Sequence, residues 1–151
     1  MEAEVRRIEV GGADVAQFDP VAPDNFGENG TAYIGVKGYD GRDGFWFLAC
    51  TPAWLTDRFS DPLSAESARF WQEDEFSHER GPLMYYLPSP EPMTMFGTGL
   101  FLMRSWSAAQ LTQSIQAVCR RETGSTWETI AARLGRIMPW ESDYQWDQEH
   151  L

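Results

Sequence analysis

Apolar and polar residues alternate through much of the first third of the chain. Within Thr31–Lys37 every second residue from Ala32 onward is apolar, which is the period-two pattern of a β-strand with one buried face. The run Phe45–Cys50 is apolar on both faces, as expected of a central strand covered on each side. Glycines in the segment 38–44 supply turn conformations, so the pattern predicts a β-hairpin.

Two further apolar runs predict strands. Val5–Val10, closed by a pair of glycines, is typical of a short edge strand. Leu100–Trp106 predicts another buried strand, and we place it in the same antiparallel sheet. The stretch at about 57–97 has a weaker pattern, in which Leu83–Leu87 favours a strand. A structureless run of that length would be unusual in a compact domain, so we expect ordered elements within it.

The apolar period changes from two to about 3.6 after Ser107, which predicts helices. Ser107 with Gln110 has the spacing of a capping box, and Gly124 is the expected end of the first helix. One face of this helix is apolar, at Leu111, Ile115, Val118 and Cys119.

A second capping box at Ser125 and Glu128 predicts another helix, which Gly135 and Pro139 end. Its apolar stripe consists of Trp127, Ile130, Ala131 and Leu134. Strands followed by helices predict a single α+β domain, with an antiparallel sheet and two C-terminal helices packed on it.

The excess of acidic residues favours some classes of binding partner over others. The chain has 23 acidic and 12 basic residues, for a formal net charge of −11. Nucleic acid and anionic lipid are poor partners for a polyanion, whereas a basic protein is a natural complement. The competing interpretation is that the charge serves solubility only.

Candidate chemistry is sparse. The chain has two histidines, His78 and His150, and two cysteines, Cys50 and Cys119, in no metal-binding spacing. We therefore predict no enzyme activity, metal or cofactor; a thiol-dependent enzyme using Cys50 beside His78 is the opposing hypothesis. The N-terminus lacks the pattern of a signal peptide and no segment has the roughly 20 apolar residues of a membrane span, so we expect a cytoplasmic protein.

Four short motifs give the chain a family resemblance. They are the glycine-rich turn 41–44 leading into the aromatic strand, Cys50–Leu55, Thr126–Glu128, and Trp140-Glu141 followed by Ser142-Asp143-Tyr144. Together they resemble the immunity protein 8 family of bacterial polymorphic toxin systems. The resemblance implies a small cytoplasmic protein that binds and silences a cognate toxin, such as a basic nuclease. It also implies one domain over 1–151, with an insertion at about 57–97 that is atypical of the family.

The residues we predict to contact the partner combine carboxylates with nearby aromatic side chains. They lie in the insertion and in the C-terminal tail: Glu73, Asp74, Glu75, Trp140, Glu141, Asp143 and Tyr144. The motif residues Trp54 and Trp127 are instead predicted to lie in the core, because tryptophan is highly buried on average. The alternative function is a general acidic protein-interaction module with no toxin partner.

Overall fold

The core of the molecule is built on a five-stranded sheet. The structure is a computed structural model that describes residues 1–58, 83–86 and 95–142. The strands of this sheet are β1 (Ala3–Val10), β2 (Ala13–Asp14), β3 (Gly27–Val36), β4 (Asp43–Cys50) and β7 (Leu100–Leu102). Their order across the sheet is β2-β1-β3-β4-β7. Two more strands, β5 (Leu83–Tyr86) and β6 (Met95–Thr98), form a separate antiparallel pair.

The predicted hairpin is confirmed, and both of its strands are longer than the apolar pattern indicated. Strands β3 and β4 pair antiparallel from Gly27 opposite Cys50 to Ile34 opposite Asp43. The extra length at the start of β3 is rich in glycine and polar residues, which is why the apolar pattern missed it. On the other side of β3, strand β1 pairs antiparallel over nearly its whole length, with a register irregularity between Val5 and Arg7.

The sheet is mixed, whereas the sequence predicted an antiparallel one. Strand β7 runs parallel to β4, with Leu100 opposite Leu48 and Leu102 opposite Cys50. It also ends at Leu102 instead of continuing to Trp106, whose amide donates to the carbonyl oxygen of Pro23 in another loop. Pairing direction depends on the path of the chain between strands, which side-chain periodicity does not encode. The α+β class itself is confirmed.

The three described helices are α1 (Pro52–Arg58), α2 (Ala108–Arg120) and α3 (Trp127–Leu134). The Oγ of Ser107 accepts a hydrogen bond from the Gln110 amide at 3.2 Å, as the predicted cap requires. For α3 the prediction was one residue early, because the cap is Thr126, whose Oγ1 accepts from the Thr129 amide at 3.2 Å. Helix α2 likewise ends before the predicted Gly124, with Arg121 at its C-cap.

Helices α2 and α3 share a core with one face of the sheet. The predicted helical stripes are buried at Leu111, Ile115, Cys119, Ile130, Ala131 and Leu134. They join a cluster whose strand members are Ile8, Val10, Ala32, Ile34, Phe45, Phe47 and Ala49. Burial of these apolar surfaces is the main source of stability, at about 25 cal/mol for each Å² removed from water. None of the described helices has the length and apolar character needed to cross a membrane.

Candidate functional site

The carboxylate of Asp43, the first residue of β4, joins three separate parts of the sequence. Its Oδ2 accepts a hydrogen bond from the indole Nε1 of Trp127 at 2.8 Å and another from the indole Nε1 of Trp140 at 3.0 Å. Both tryptophans are half-buried and pack against the core. Hydrogen bonds to an ionised acceptor are stronger than neutral ones, so Asp43 fixes the positions of both rings.

The tail motif is bound to the beginning of the same strand. The Gly44 amide donates to Glu141 Oε1 at 2.8 Å, and the Trp46 amide donates to the carbonyl oxygen of Pro139 at 2.9 Å. The Trp140 ring lies nearly parallel to the Phe45 ring, with 6.4 Å between their centroids. A Cβ at Gly44 would lie 2.8 Å from Glu141 Oε2, so glycine leaves the room that this carboxylate occupies. The tail thus lies beside the first half of β4, and β7 pairs with its second half.

The remaining motif, Cys50–Leu55, forms a strand-to-helix corner at the other end of β4. Thr51 is buried, and its Oγ1 accepts from the Phe26 amide at 3.1 Å and from the Trp54 amide at 3.4 Å. Pro52 occupies the first position of α1, where a proline loses no helical hydrogen bond. The half-buried Trp54 lies over Gly27, where an added Cβ would come within 2.2 Å of its ring. The corner therefore holds β3, β4 and α1 together.

The predicted partner-binding residues divide into two groups. Trp140 and Glu141 are described, and both are half-buried and hydrogen-bonded to the start of β4, at Asp43 and Gly44. The other predicted contacts lie outside the described residues: Glu73, Asp74, Glu75, Asp143 and Tyr144. The predicted placement of Trp127 against the core agrees with its packing.

Sequence reasoning missed the roles of Asp43, Thr51 and Gly27. Asp43 stands in a glycine-rich turn, and its partners Trp127 and Trp140 are distant in the sequence, so nothing local marks it as an acceptor. The sequence did contain a signal for the role of Thr51, because a threonine followed by a proline is typical of a helix N-cap and the first residue of the helix. Gly27 carries no local signal, since the ring that excludes a Cβ there belongs to a later helix.

The thiols are poorly suited to nucleophilic chemistry. Burial raises the pKa of Cys50 to about 12, and burial together with the nearby Glu122 carboxylate raises the pKa of Cys119 to about 11. Since the thiolate is the nucleophile, both groups are overwhelmingly protonated at neutral pH. His78, the proposed partner of Cys50, lies outside the described residues. Within the described part of the chain, no cluster of three or more histidine, cysteine or carboxylate side chains could hold a metal ion.

The fold and these contacts define a small α+β domain whose aromatic motif residues build structure around one edge of the sheet. The model of the immunity protein 8 family matches residues 3–144, which is nearly the whole chain. The chain therefore belongs to the immunity protein 8 family, whose members are immunity proteins of toxin systems and are typically not enzymes. Searches of curated proteins and of solved structures found no match.

Proposed function

We propose that this protein binds the toxin domain of its own polymorphic toxin system and neutralises it by occupying its surface, without catalysing a reaction. The family match over residues 3–144 is the observation that carries the proposal. We further propose that it acts in the cytoplasm and that the toxin is basic, with a nuclease as the favoured class. A site built to bind phosphates is positively charged, so an acidic protein is suited to covering it.

The distribution of charge supports a basic partner. The net charge is −11, and four basic side chains in the described part of the chain already face a glutamate within 4 Å: Arg6, Arg7, Lys37 and Arg133. Ion pairs as exposed as these contribute little to stability. Because these four cations already have glutamate partners, they do not neutralise the remaining carboxylates, and the acidic excess stays on the protein. An excess of negative charge raises the rate at which a positive partner is encountered.

The experiment that tests this function uses the open reading frame beside the gene for this protein. If that frame encodes a large secreted protein, its C-terminal domain should be toxic when expressed alone. Co-expression of the immunity protein should restore growth, and the two chains should co-purify as a complex. An unrelated toxin domain of similar charge serves as the control for specificity. Failure to protect and failure to bind would leave a general protein-interaction module as the better description.

We propose that the insertion and the tail contribute to the toxin interface. The insertion residues are Glu73, Asp74 and Glu75, and the tail residues are Trp140, Glu141, Asp143 and Tyr144. Carboxylates at the rim of an interface and aromatic anchors at its centre are the usual division of roles.

The tail has to be tested with attention to stability, because Glu141 accepts a hydrogen bond from the Gly44 amide. Asp143→Lys and the triple variant E73K/D74K/E75K should each weaken toxin binding. Glu141→Gln keeps an acceptor for the Gly44 amide and removes the charge, so it separates binding from folding. Urea denaturation should show that each variant is folded. Unchanged affinity in all of them would place the interface elsewhere.

A further inference from the structure

The turn between β3 and β4 is held in one conformation by an arginine from β1. Gly38 and Gly41 have φ angles of 84° and 106°, which favour glycine because other residues rarely adopt positive φ. The guanidinium of Arg6 donates to the carbonyl oxygens of both Val36 and Tyr39. Two charge-assisted hydrogen bonds to backbone carbonyls restrict the turn, so the side chains at its tip project from a defined position.

Beside this turn lies a cleft of about 340 Å³ with an aromatic and apolar wall. Tyr39 and Met1 contribute to the wall and are 66% and 54% exposed. The half-buried Trp127 also lines it, and the hydrogen bond to Asp43 fixes its ring. Large apolar side chains this exposed are few in the described part of the chain. Because a preformed aromatic cleft of this kind is already ordered, less conformational entropy is lost when a partner binds.

The carboxylate of Asp40 is the unengaged charge at this cleft. Asp40 lines the cleft, is exposed, and makes no hydrogen bond or ion pair within the part of the chain that the structure describes. The cations at the cleft are both engaged: the Arg42 guanidinium lies 4.4 Å from the centroid of the Tyr33 ring, and the terminal amine of Met1 donates to the carbonyl oxygen of Gly124 at 3.1 Å. The cleft therefore offers a free carboxylate next to aromatic faces.

We propose that this cleft receives an arginine side chain of the toxin domain, with the guanidinium paired to Asp40 and stacked on Tyr39. A planar guanidinium suits both contacts, because it binds carboxylates through two N–H groups and stacks on aromatic rings. Tyrosine and tryptophan are also the residues that most often dominate binding at protein interfaces. The inference rests on the proposed function, since it names a contact that a basic toxin would make. The two residues it adds, Tyr39 and Asp40, belong to neither the insertion nor the tail in the sequence.

The test measures the Kd between the purified protein and the toxin domain encoded beside its gene. Tyr39→Ala and Asp40→Asn should each raise the Kd by roughly tenfold or more, as truncation of a central contact does. Asp40→Glu keeps the charge and should retain more affinity than Asp40→Asn. Asp24→Asn is the matched control, because Asp24 is also exposed but precedes β3, at the end of the strand far from the turn.

The possible outcomes separate this inference from the function on which it rests. Tenfold losses at Tyr39 and Asp40, with Asp24→Asn unchanged, would support the cleft as the arginine site. Tight binding by the unmodified protein and equally tight binding by both cleft variants would overturn the inference and leave the function standing. Absence of binding by the unmodified protein would overturn both. Circular dichroism and urea denaturation should show that every variant is folded.

Discussion

A single carboxylate, that of Asp43, links the β3–β4 turn, the start of α3 and the tail. Both indole donors reach the same oxygen, Oδ2, at 2.8 and 3.0 Å. The three motifs that supply these residues are far apart in the sequence, yet they form one structural unit. The motifs therefore act together in the fold, by holding the turn, α3 and the tail to one another, and their described residues do not form a catalytic site.

The first prediction concerns this carboxylate. Asp43→Ala should lower the free energy of unfolding by about 2 kcal/mol or more, because two half-buried indole donors lose an ionised acceptor. Urea denaturation followed by tryptophan fluorescence measures the effect directly.

The control for this prediction is Asp40→Ala, which removes the same chemical group from the same turn. Asp40 is exposed and has no partner in the described part of the chain, so the change in stability should stay within about 0.5 kcal/mol. Equal losses in the two variants would show that Asp43 is not the acceptor that joins the motifs.

The buried thiols give a second prediction, on the pH dependence of stability. The pKa of Cys50 is raised from 9.0 to about 12, so the folded state keeps a proton that the unfolded chain releases above about pH 9. The unfolded state then binds fewer protons, and stability should fall as the pH rises from about 9 towards 12. Urea denaturation at several pH values should show a shallower decline for Cys50→Ala than for the unmodified protein. The comparison of slopes is needed because tyrosine side chains titrate in the same range.

At the scale of elements, the start of α3 provides a third prediction. Thr126 caps this helix, whereas Ser125 precedes the cap and makes no hydrogen bond to the helix in the described structure. Thr126→Ala should therefore cost about 1 kcal/mol of stability, and Ser125→Ala should cost little. Thermal or urea denaturation of the two variants distinguishes them. A larger loss at Ser125 would mean that the helix begins one residue earlier.

The elements also show which parts of the fold the sequence could predict. Periodicity located strand β3 and helices α2 and α3, because each has one apolar face that must be buried, and a run of apolar residues on both faces located β4. It did not predict the parallel direction of β7, because that depends on the route of the intervening chain. Periodicity also did not predict the hydrogen bonds of Asp43 or the packing of Trp54 over Gly27, because both contacts join residues that are distant in the sequence.

At the scale of the whole molecule, the acidic excess predicts how association should respond to salt. If the net charge of −11 steers a basic toxin, the association rate should fall steeply as ionic strength rises. The Debye length shortens from about 10 Å at 0.1 M salt to about 3 Å at 1 M, which removes the long-range attraction. Dissociation should change less, because short-range contacts within the complex are screened less than the long-range attraction that brings the two proteins together. Stopped-flow measurements test this, and an association rate independent of salt would mean that the charge serves solubility only.

The parallel pairing of β4 and β7 has a consequence for how this molecule can vary. Two parallel neighbours cannot be joined by a tight turn, so the chain needs a long crossover between Cys50 and Leu100 in any case. The predicted insertion at about 57–97 falls inside that crossover. Lengthening a long connection adds only about 0.6 kcal/mol of closure entropy for each doubling. The length and sequence of this stretch can therefore vary while the hydrogen bonds that join Asp43 to α3 and to the tail stay the same.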